Sequence, residues 1–281
     1  MPPVVAVIAP GMMGSAVGGR LAQNGVEVRT SLAGRSAATI ARAKAAGMVG
    51  VPDEQIAAAD IILSILPPGD ALGLAERLAP ALRTAGKKPI YVDCNAVHPG
   101  TVLRIARVIE EAGATFVDGG IIGPPPEGDG KSTKIYLSGP DAAKVTILQQ
   151  YGLTMPVQPG PIGAASAMKM SYAGITKGFT ALGAAMMLAA TRAGTAEALK
   201  AELSGSQPAL YNWLTKQMPK MYSKAYRWVA EMEEIAAFVG EDPAGAKFYQ
   251  GAAELYARIA ADFDGPNRET AMLDAFCAKK D

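Results

Sequence analysis

Lys169 is the residue whose setting most invites proton chemistry. It lies in "PGPIGAASAMKMSYAGITKG", six residues after Gly163, on a helical pattern otherwise made of alanine, methionine, serine and tyrosine. Burial disfavours the charged form of an amine and brings its titration toward neutrality, where it can give and take a proton. A lysine that snorkels at a helix edge, or one paired for structural reasons, fits the same pattern. The residues alone leave both readings open.

A second chemical feature lies in "IAPGMMGSAVGGRLA", residues 8–22. Ala9-Pro10-Gly11-Met12-Met13-Gly14 supplies the second and third glycines of the G-x-G-x-x-G pattern, with Ala9 in place of the first. In that pattern the second glycine lets the backbone approach a pyrophosphate, and the third lets the helix pack closely on the preceding strand. The first glycine serves the tight turn, which alanine can also form if its φ stays negative. An apolar run before the turn, a helical pattern after it and a second strand beyond are the context the pattern requires. The N-terminus of the helix then offers N–H groups and the positive end of its dipole to phosphates. The turn is read as dinucleotide-binding, with Ala9, Pro10, Gly11, Met12 and Met13 around the cofactor. A structural turn that binds nothing is the alternative.

The end of the second strand selects the dinucleotide. NAD sites place Asp or Glu there to hold the ribose 2′-hydroxyl. Here "VEVRTSLAGRSAAT" has no acid after Glu27, and the next is Asp53. Thr30, Arg35 and Ser36 could instead hold a 2′-phosphate, with the guanidinium neutralising it. The expectation is NADP(H) rather than NAD(H), although Arg35 could equally be a solvated residue at a helix start.

These groups need a scaffold. Apolar runs at 4–9, 26–31, 60–66, 88–94 and 114–119 read as strands, and the helical patterns between them close on glycines such as Gly25, Gly47 and Gly113. Alternating β and α units imply a parallel sheet with helices on both faces, a Rossmann-type doubly wound α/β fold. "KSTKIYLSGPDAAKVTILQQYG" adds a strand and a helix, and "TMPVQPG" a short strand. Residues 162–193 then form one unbroken helical pattern, about 30 residues and roughly 45 Å long. Beyond it only helices are expected, with breaks near "SGSQPA", Pro219, "VGEDPAG" and "FDGPN". The expected division is a nucleotide-binding domain at 1–160 and an all-helical substrate and dimerisation domain at 161–281, joined by the long helix.

Composition sets limits. A chain of 281 residues suits two domains, and 27 basic against 26 acidic residues leave no positive surplus for nucleic acid or an anionic membrane surface. Cys94 and Cys277 make no disulfide framework, and His98 is the sole histidine, so no metal is expected. The apolar run at 178–194 is cut by Arg192 and preceded by Lys177, and reads as a buried helix rather than a membrane span. No basic leader precedes the first strand, and the expected setting is cytoplasmic.

A dinucleotide turn, a strand ending in "VDGGIIGPPP" and a Gly160-x-x-Gly163 helix with Lys169 six residues on together resemble the β-hydroxyacid dehydrogenase family. That group includes 3-hydroxyisobutyrate dehydrogenases and the wider 6-phosphogluconate dehydrogenase superfamily. "SAMKMSYAGITKG" with "AYRWVAEMEEIA" is similar to a bacterial branch of it with poorly defined substrates. The resemblance implies a two-domain homodimer that passes a hydride between nicotinamide and a small-molecule carbonyl or alcohol, with Lys169 as general acid and base. It also implies that "SILPP" and "DCNAVHPGT" contact the cofactor, through Ser64, Leu66, Pro67 and Asn95. His98, followed by Pro99, is read as starting a helix.

Departures from the family pattern bear on the substrate. The family's Asp-Ala-Pro-Val-Ser-Gly-Gly loop keeps Asp118 and Gly123, but Ile122 stands at its serine and Pro124 at its next glycine. Ile121, Ile122 and Gly123 are the expected substrate-binding residues of this loop. Four residues after the lysine the family's asparagine is Ala173, beside Tyr172, whose hydroxyl could contact substrate. The late helix where the family has Lys-Asp reads "RWVAEMEEIA", with Glu231 or a neighbour at that position, and Trp228 on the same helix is a further expected substrate contact. A carboxylate left unpaired against such a surface is costly, so a less acidic, larger or more apolar substrate is expected. Imine reductases share the layout but commonly carry Asp or Tyr in place of Lys169, and a nucleotide-binding sensor without catalysis is the remaining alternative.

Overall fold

The computed structural model describes residues 1–128 and 131–278; residues 279–281, the end of the expected helical domain, lie outside them. The chain opens with β1 (Val4–Ile8), α1 (Met12–Gln23), β2 (Glu27–Thr30), α2 (Ala37–Ala45), a two-residue β3 (Val49–Gly50), α3 (Asp53–Ala57) and β4 (Ile61–Ser64). It continues through α4 (Ala71–Thr84), β5 (Ile90–Asp93), α5 (Pro99–Glu111), β6 (Thr115–Ile122), β7 (Lys134–Ser138) and α6 (Ala142–Val145). Among the described residues these strands form one sheet in the order β3-β2-β1-β4-β5-β6-β7. The chain winds outward from β1 to β3, then returns to lay β4 on the other side of β1. That reversal is the switch point at which open α/β sheets bind ligands, beyond the carboxyl ends of their strands.

Alternation along each strand explains both cores. Val5, Val7, Val28, Leu63, Val92 and Val117 face one side, where Val17 and Leu21 of α1 cover them. Ala6, Ile8, Ile62, Tyr91 and Phe116 face the other, against Leu74, Leu78 and Leu82 of α4 and Ile105 and Ile109 of α5. Strands buried on both faces read as continuous apolar runs, and this is why they were visible in the sequence.

The sheet is parallel, as expected, except at its edge, where β7 runs antiparallel to β6. The connection between them, "GPPPEGDGKST", is rich in proline and glycine and short for a crossover helix, so the chain returns as a hairpin. The strand expected in "TMPVQPG" reduces to two bridges, Thr154 with Lys134 and Val157 with Leu137. Pro156 and Pro159 lack the N–H groups a longer ladder would use.

The rest is helical: α7 (Ala164–Arg192), α8 (Ala196–Ser206), α9 (Pro208–Met221), α10 (Ala225–Phe238), α11 (Pro243–Phe263) and α12 (Arg268–Cys277). By length and hydropathy α7 could cross a membrane; 44% of its most apolar stretch is buried within the protein. The break expected near Pro219 lies just beyond it, where α9 runs on to Met221 and tightens into a 3₁₀ turn at Tyr222–Lys224. Burial of Met218 and Met221 offsets the hydrogen bond the proline removes. Contacts divide the chain into two compact units, Met1–Met170 and the remainder from Ser171, so the division lies inside α7.

Candidate functional site

The glycine turn closes at the carboxyl end of β1. Ala9 N–H donates to Ile65 O at 3.1 Å, and Gly11 N–H donates to Ala9 O at 2.8 Å. Gly11 is the N-cap of α1, in extended conformation and with no side-chain cap, so the first N–H groups of the helix have no side-chain acceptor. A Cβ at Gly14 would collide with the carbonyl oxygen of Ala9, whereas one at Gly11 would meet nothing within 4 Å. The third glycine therefore seats the helix, and the second leaves the approach open. Among the described residues Asn267 is the one non-glycine with positive φ, so Ala9 meets the condition for replacing the first glycine. Met12 is exposed and Met13 half-buried at the same helix start. These residues fit a dinucleotide pyrophosphate.

At the end of β2 the three expected ligands of a 2′-phosphate separate. Thr30 is fully buried and donates its hydroxyl to Val7 O at 2.8 Å. It ties β2 to β1, and its place in the phosphate site is corrected accordingly. Arg35 and Ser36 are exposed. Ser36 caps α2, accepting from Thr39 N–H at 3.3 Å, and its Oγ lies 3.1 Å from Thr39 Oγ1, where either hydroxyl can donate. A guanidinium and an N-capping hydroxyl thus meet at one helix start, a setting that suits an anion.

The carboxyl ends of the next strands carry a polar row. Strand register aligns Ser64 with Asp93, Asp93 with Asp118 and Asp118 with Ser138, and all four are buried. Asn95 is buried beside them. Its amide nitrogen donates to Ser64 Oγ at 2.8 Å and to Asp93 Oδ1, and its Oδ1 accepts from Leu66 N–H at 2.5 Å. Ser64 and Asn95 therefore brace the loop after β4, leaving half-buried Leu66 and exposed Pro67 as its outer surface.

Asp118 fixes the helix that carries Lys169. Its Oδ2 accepts from Ser138 Oγ at 2.9 Å and from the N–H groups of Gly163 and Ser166 at 3.0 Å. Its Oδ1 accepts from Ser166 Oγ at 2.6 Å, and Ser138 Oγ also accepts from Ala165 N–H at 2.9 Å. A carboxylate at a helix N-terminus satisfies orphan N–H groups and complements the dipole. One turn on, Lys169 stands over Gly120 of β6. A Cβ at Gly120 would come 2.8 Å from Ala165 O and 3.3 Å from Lys169 Cβ. The aspartate sets the start of the helix, and the glycine sets how closely the lysine approaches the sheet.

The sequence pointed to Asp118 only as a retained family residue; its part in seating the helix, with Ser138 and Ser166, was missed. The available signal was two apolar strands, "KPIYVDC" and "ATFVDG", each ending in an aspartate. Further along β6, Ile121 is buried in the core with Val117 and Ile135. It faces away from Lys169, and its expected substrate contact is corrected. Ile122 is half-buried and shares by alternation the face of Asp118 and Gly120. Gly123 is exposed. His98 caps α5, its Nδ1 accepting from Gly100 N–H at 2.9 Å.

In the helical unit Tyr172 is exposed on α7 and Ala173 is buried. Glu231 of α10 pairs with Lys177 of α7, whose ammonium lies 5.1 Å from the centre of the Trp228 ring. Trp228 meets Tyr256 edge-on with ring centres 5.2 Å apart, and Tyr256 donates to Lys177 O at 2.6 Å. Two expected substrate residues, Trp228 and Glu231, thus join Lys177 and Tyr256 in one cluster. The sequence noted Lys177 only as the residue preceding an apolar run. Among the described residues no group of three or more His, Cys, Asp or Glu side chains is gathered for a metal.

A glycine turn that fits a pyrophosphate, at the switch point of a doubly wound sheet, defines a nicotinamide-dinucleotide-binding domain. Residues 4–152 match the NAD binding domain of 6-phosphogluconate dehydrogenase, and the chain belongs to that family, within the β-hydroxyacid dehydrogenase-like group. Residues 190–259 match a domain of unknown function, DUF1932. The chain is 31% identical, with TM-score 0.72, to a conserved protein of unknown function whose structure resembles 3-hydroxyacid dehydrogenases; the match covers 92% of this chain and 97% of that one. Mycobacterium tuberculosis 3-hydroxyisobutyrate dehydrogenase, solved with L-serine, has 18% identity and TM-score 0.68 over 99% of this chain and 100% of that one. For a Streptomyces aurantiacus imine reductase the values are 21% and 0.58, over 98% and 100%. An uncharacterised 28.5 kDa protein of Methanothermus fervidus is 34% identical over 159 residues, 56% of this chain; the match spans 59% of that relative's length.

Proposed function

We propose that this chain is an NADP(H)-dependent oxidoreductase acting on a carbonyl and alcohol pair, with Lys169 as general acid and base. The observation that carries this reading is Lys169 held over Gly120, on a helix whose first turn is anchored by Asp118. The uncapped start of α1 would receive the pyrophosphate, Arg35 and Ser36 the 2′-phosphate, and Leu66 and Pro67 would lie against the cofactor. The bound nicotinamide supplies the hydride in reduction and accepts it in oxidation. Lys169 Nζ gives its proton to the oxygen that becomes the alcohol, or removes the alcohol proton in the reverse direction. Asn95 keeps the loop after β4 in place by holding Leu66 N–H.

Apolar Ile122 and Pro124, at positions where the resembled family has serine and glycine, support a substrate less acidic than a simple 3-hydroxy acid. The setting proposed is cytoplasmic, and the assembly a homodimer. An exposed stripe on α7 supports the dimer: Tyr172, Ile175, Phe179, Leu182 and Met186 follow spacings of three and four and end in exposed Ala189 and, just past the helix, Ala193. Its large half and small half would complement each other across a two-fold axis.

The test is reduction of a panel of carbonyl compounds of graded acidity and size, followed by NADPH consumption. Turnover favouring neutral, apolar members supports the reading. A simple 3-hydroxy acid that proved by far the best substrate in the oxidation direction would overturn its substrate assignment.

A further inference from the structure

Asp93 and Asp118 are register partners at the carboxyl ends of β5 and β6, buried to 1% and 0% exposure. Asp118 is answered by four donors from Ser138, Gly163 and Ser166. Asp93 is answered on one side only. Its Oδ1 accepts from Asn95 N–H at 3.2 Å and from the Asn95 amide. Its buried Oδ2 has no hydrogen-bond partner among the described residues. A half-answered carboxylate beside a second carboxylate is a costly placement unless an opposing charge reaches it.

Lys169 is the cation that bears on it. Alternation places Asp118, Gly120 and the register partner Asp93 on one face of the sheet. Lys169 stands over Gly120 on that face, one strand across from Asp93 and two residues further along. Burial pushes the Asp93 carboxyl up to about 7, against the pull of the Asn95 N–H; the Asp118 charge adds to the rise, and the Asn95 amide and Lys169 charge oppose it. The titratable groups bearing on it are Tyr91 and Cys94 of its own strand, Asp118 on β6 and Lys169 on α7. Burial drives the Tyr91 and Cys94 titrations upward, so both stay neutral.

We propose that Asp93 is a positioning residue for the proton step: ionised, it holds the proton on Lys169, and protonated, it releases that hold. This rests on Lys169 being the acid and base of the reaction. Asp93 touches no reacting atom in this scheme. It acts through the lysine, while the Asn95 it anchors keeps the loop after β4 in place.

The test labels the full chain with an amine-acetylating reagent and follows each lysine by peptide mass spectrometry across pH. Removing the opposing charge lowers the proton affinity of the Lys169 amine. At pH 8, Asp93→Asn and Asp93→Ser should therefore label Lys169 about threefold faster, equivalent to roughly half a pH unit, with Lys144 unchanged. Lys169 profiles that overlay the wild type in folded variants overturn the proposal. If neither variant folds, infrared titration of the buried carboxyl in wild type and Lys169→Met decides. Loss of the cation should raise its midpoint, and an unmoved midpoint overturns the proposal. Shifted labelling with normal turnover by Lys169→Met would refute the acid/base reading and leave the coupling standing; an inactive Lys169→Met with unshifted labelling would do the reverse.

Discussion

Ser166 meets Asp118 twice, donating its backbone N–H to Oδ2 at 3.0 Å and its hydroxyl to Oδ1 at 2.6 Å. The two residues lie 48 apart in sequence, yet this pair, with Gly163 N–H, decides where α7 begins and so where Lys169 stands. Asp118→Asn keeps the shape but turns an NH₂ toward N–H donors. It should cost about 2–4 kcal/mol of stability and lower kcat more than it raises KM for cofactor. Ser166→Ala should cost about 1 kcal/mol. Urea unfolding and steady-state kinetics check both; an Asp118→Asn enzyme with wild-type stability would contradict the anchoring role.

Arg35 carries the preference for the 2′-phosphate in the proposed function. Arg35→Ala removes a charge-assisted contact of about 1.5–3 kcal/mol, so Kd for NADPH should rise roughly 10- to 100-fold while Kd for NADH stays within twofold. Thermal stabilisation by each nucleotide, before and after substitution, measures this. Wild-type protein stabilised more by NADH than by NADPH would overturn the assignment.

Asp93 makes a pH prediction about stability. Its carboxyl ionises near pH 4 when unfolded and is pushed up to about 7 in the fold, burial being the main cause. The folded pKa is the higher one, so folding takes up a proton between these values and stability falls as pH rises from about 4 to about 7, then levels. The contribution should approach 4 kcal/mol at most. Compared with Asp93→Asn, the wild type should lose stability across that window and run parallel above it. Urea titrations at intervals from pH 4.5 to 8.5 read the difference, which a pH-independent offset would refute.

The stripe on α7 predicts the assembly. Ile175→Glu with Met186→Glu, both exposed positions, should convert a dimer to a monomer in light scattering while leaving the melting of the nucleotide-binding unit unchanged. A wild-type monomer at micromolar concentration would contradict the proposed dimer.

Local signals in the sequence were enough for β1, β2, β4, β5 and β6, because their apolar positions are buried and read as short apolar runs. They were also enough for the turn at Gly11 and Gly14, where two absent side chains have separate steric purposes. The edge was less legible. β3 is two exposed residues, Val49 and Gly50, too short to show alternation, and the direction of β7 depends on a connection rather than on its own residues. Thr30 and Ile121 were assigned to surfaces although strand alternation places both inside. The Asp118–Ser138–Ser166 junction and the Lys177–Glu231 pair join residues at least 20 apart. Such pairings follow from register and packing, and no spacing along the chain announces them.

The central claim is that Lys169 moves the proton. With any substrate that the wild type turns over, Lys169→Met should lower kcat by about 10²–10⁴-fold while its Kd for NADPH stays within twofold, measured by nucleotide fluorescence. A Lys169→Met protein that keeps wild-type kcat across the pH range would remove the lysine from the reaction and contradict the account.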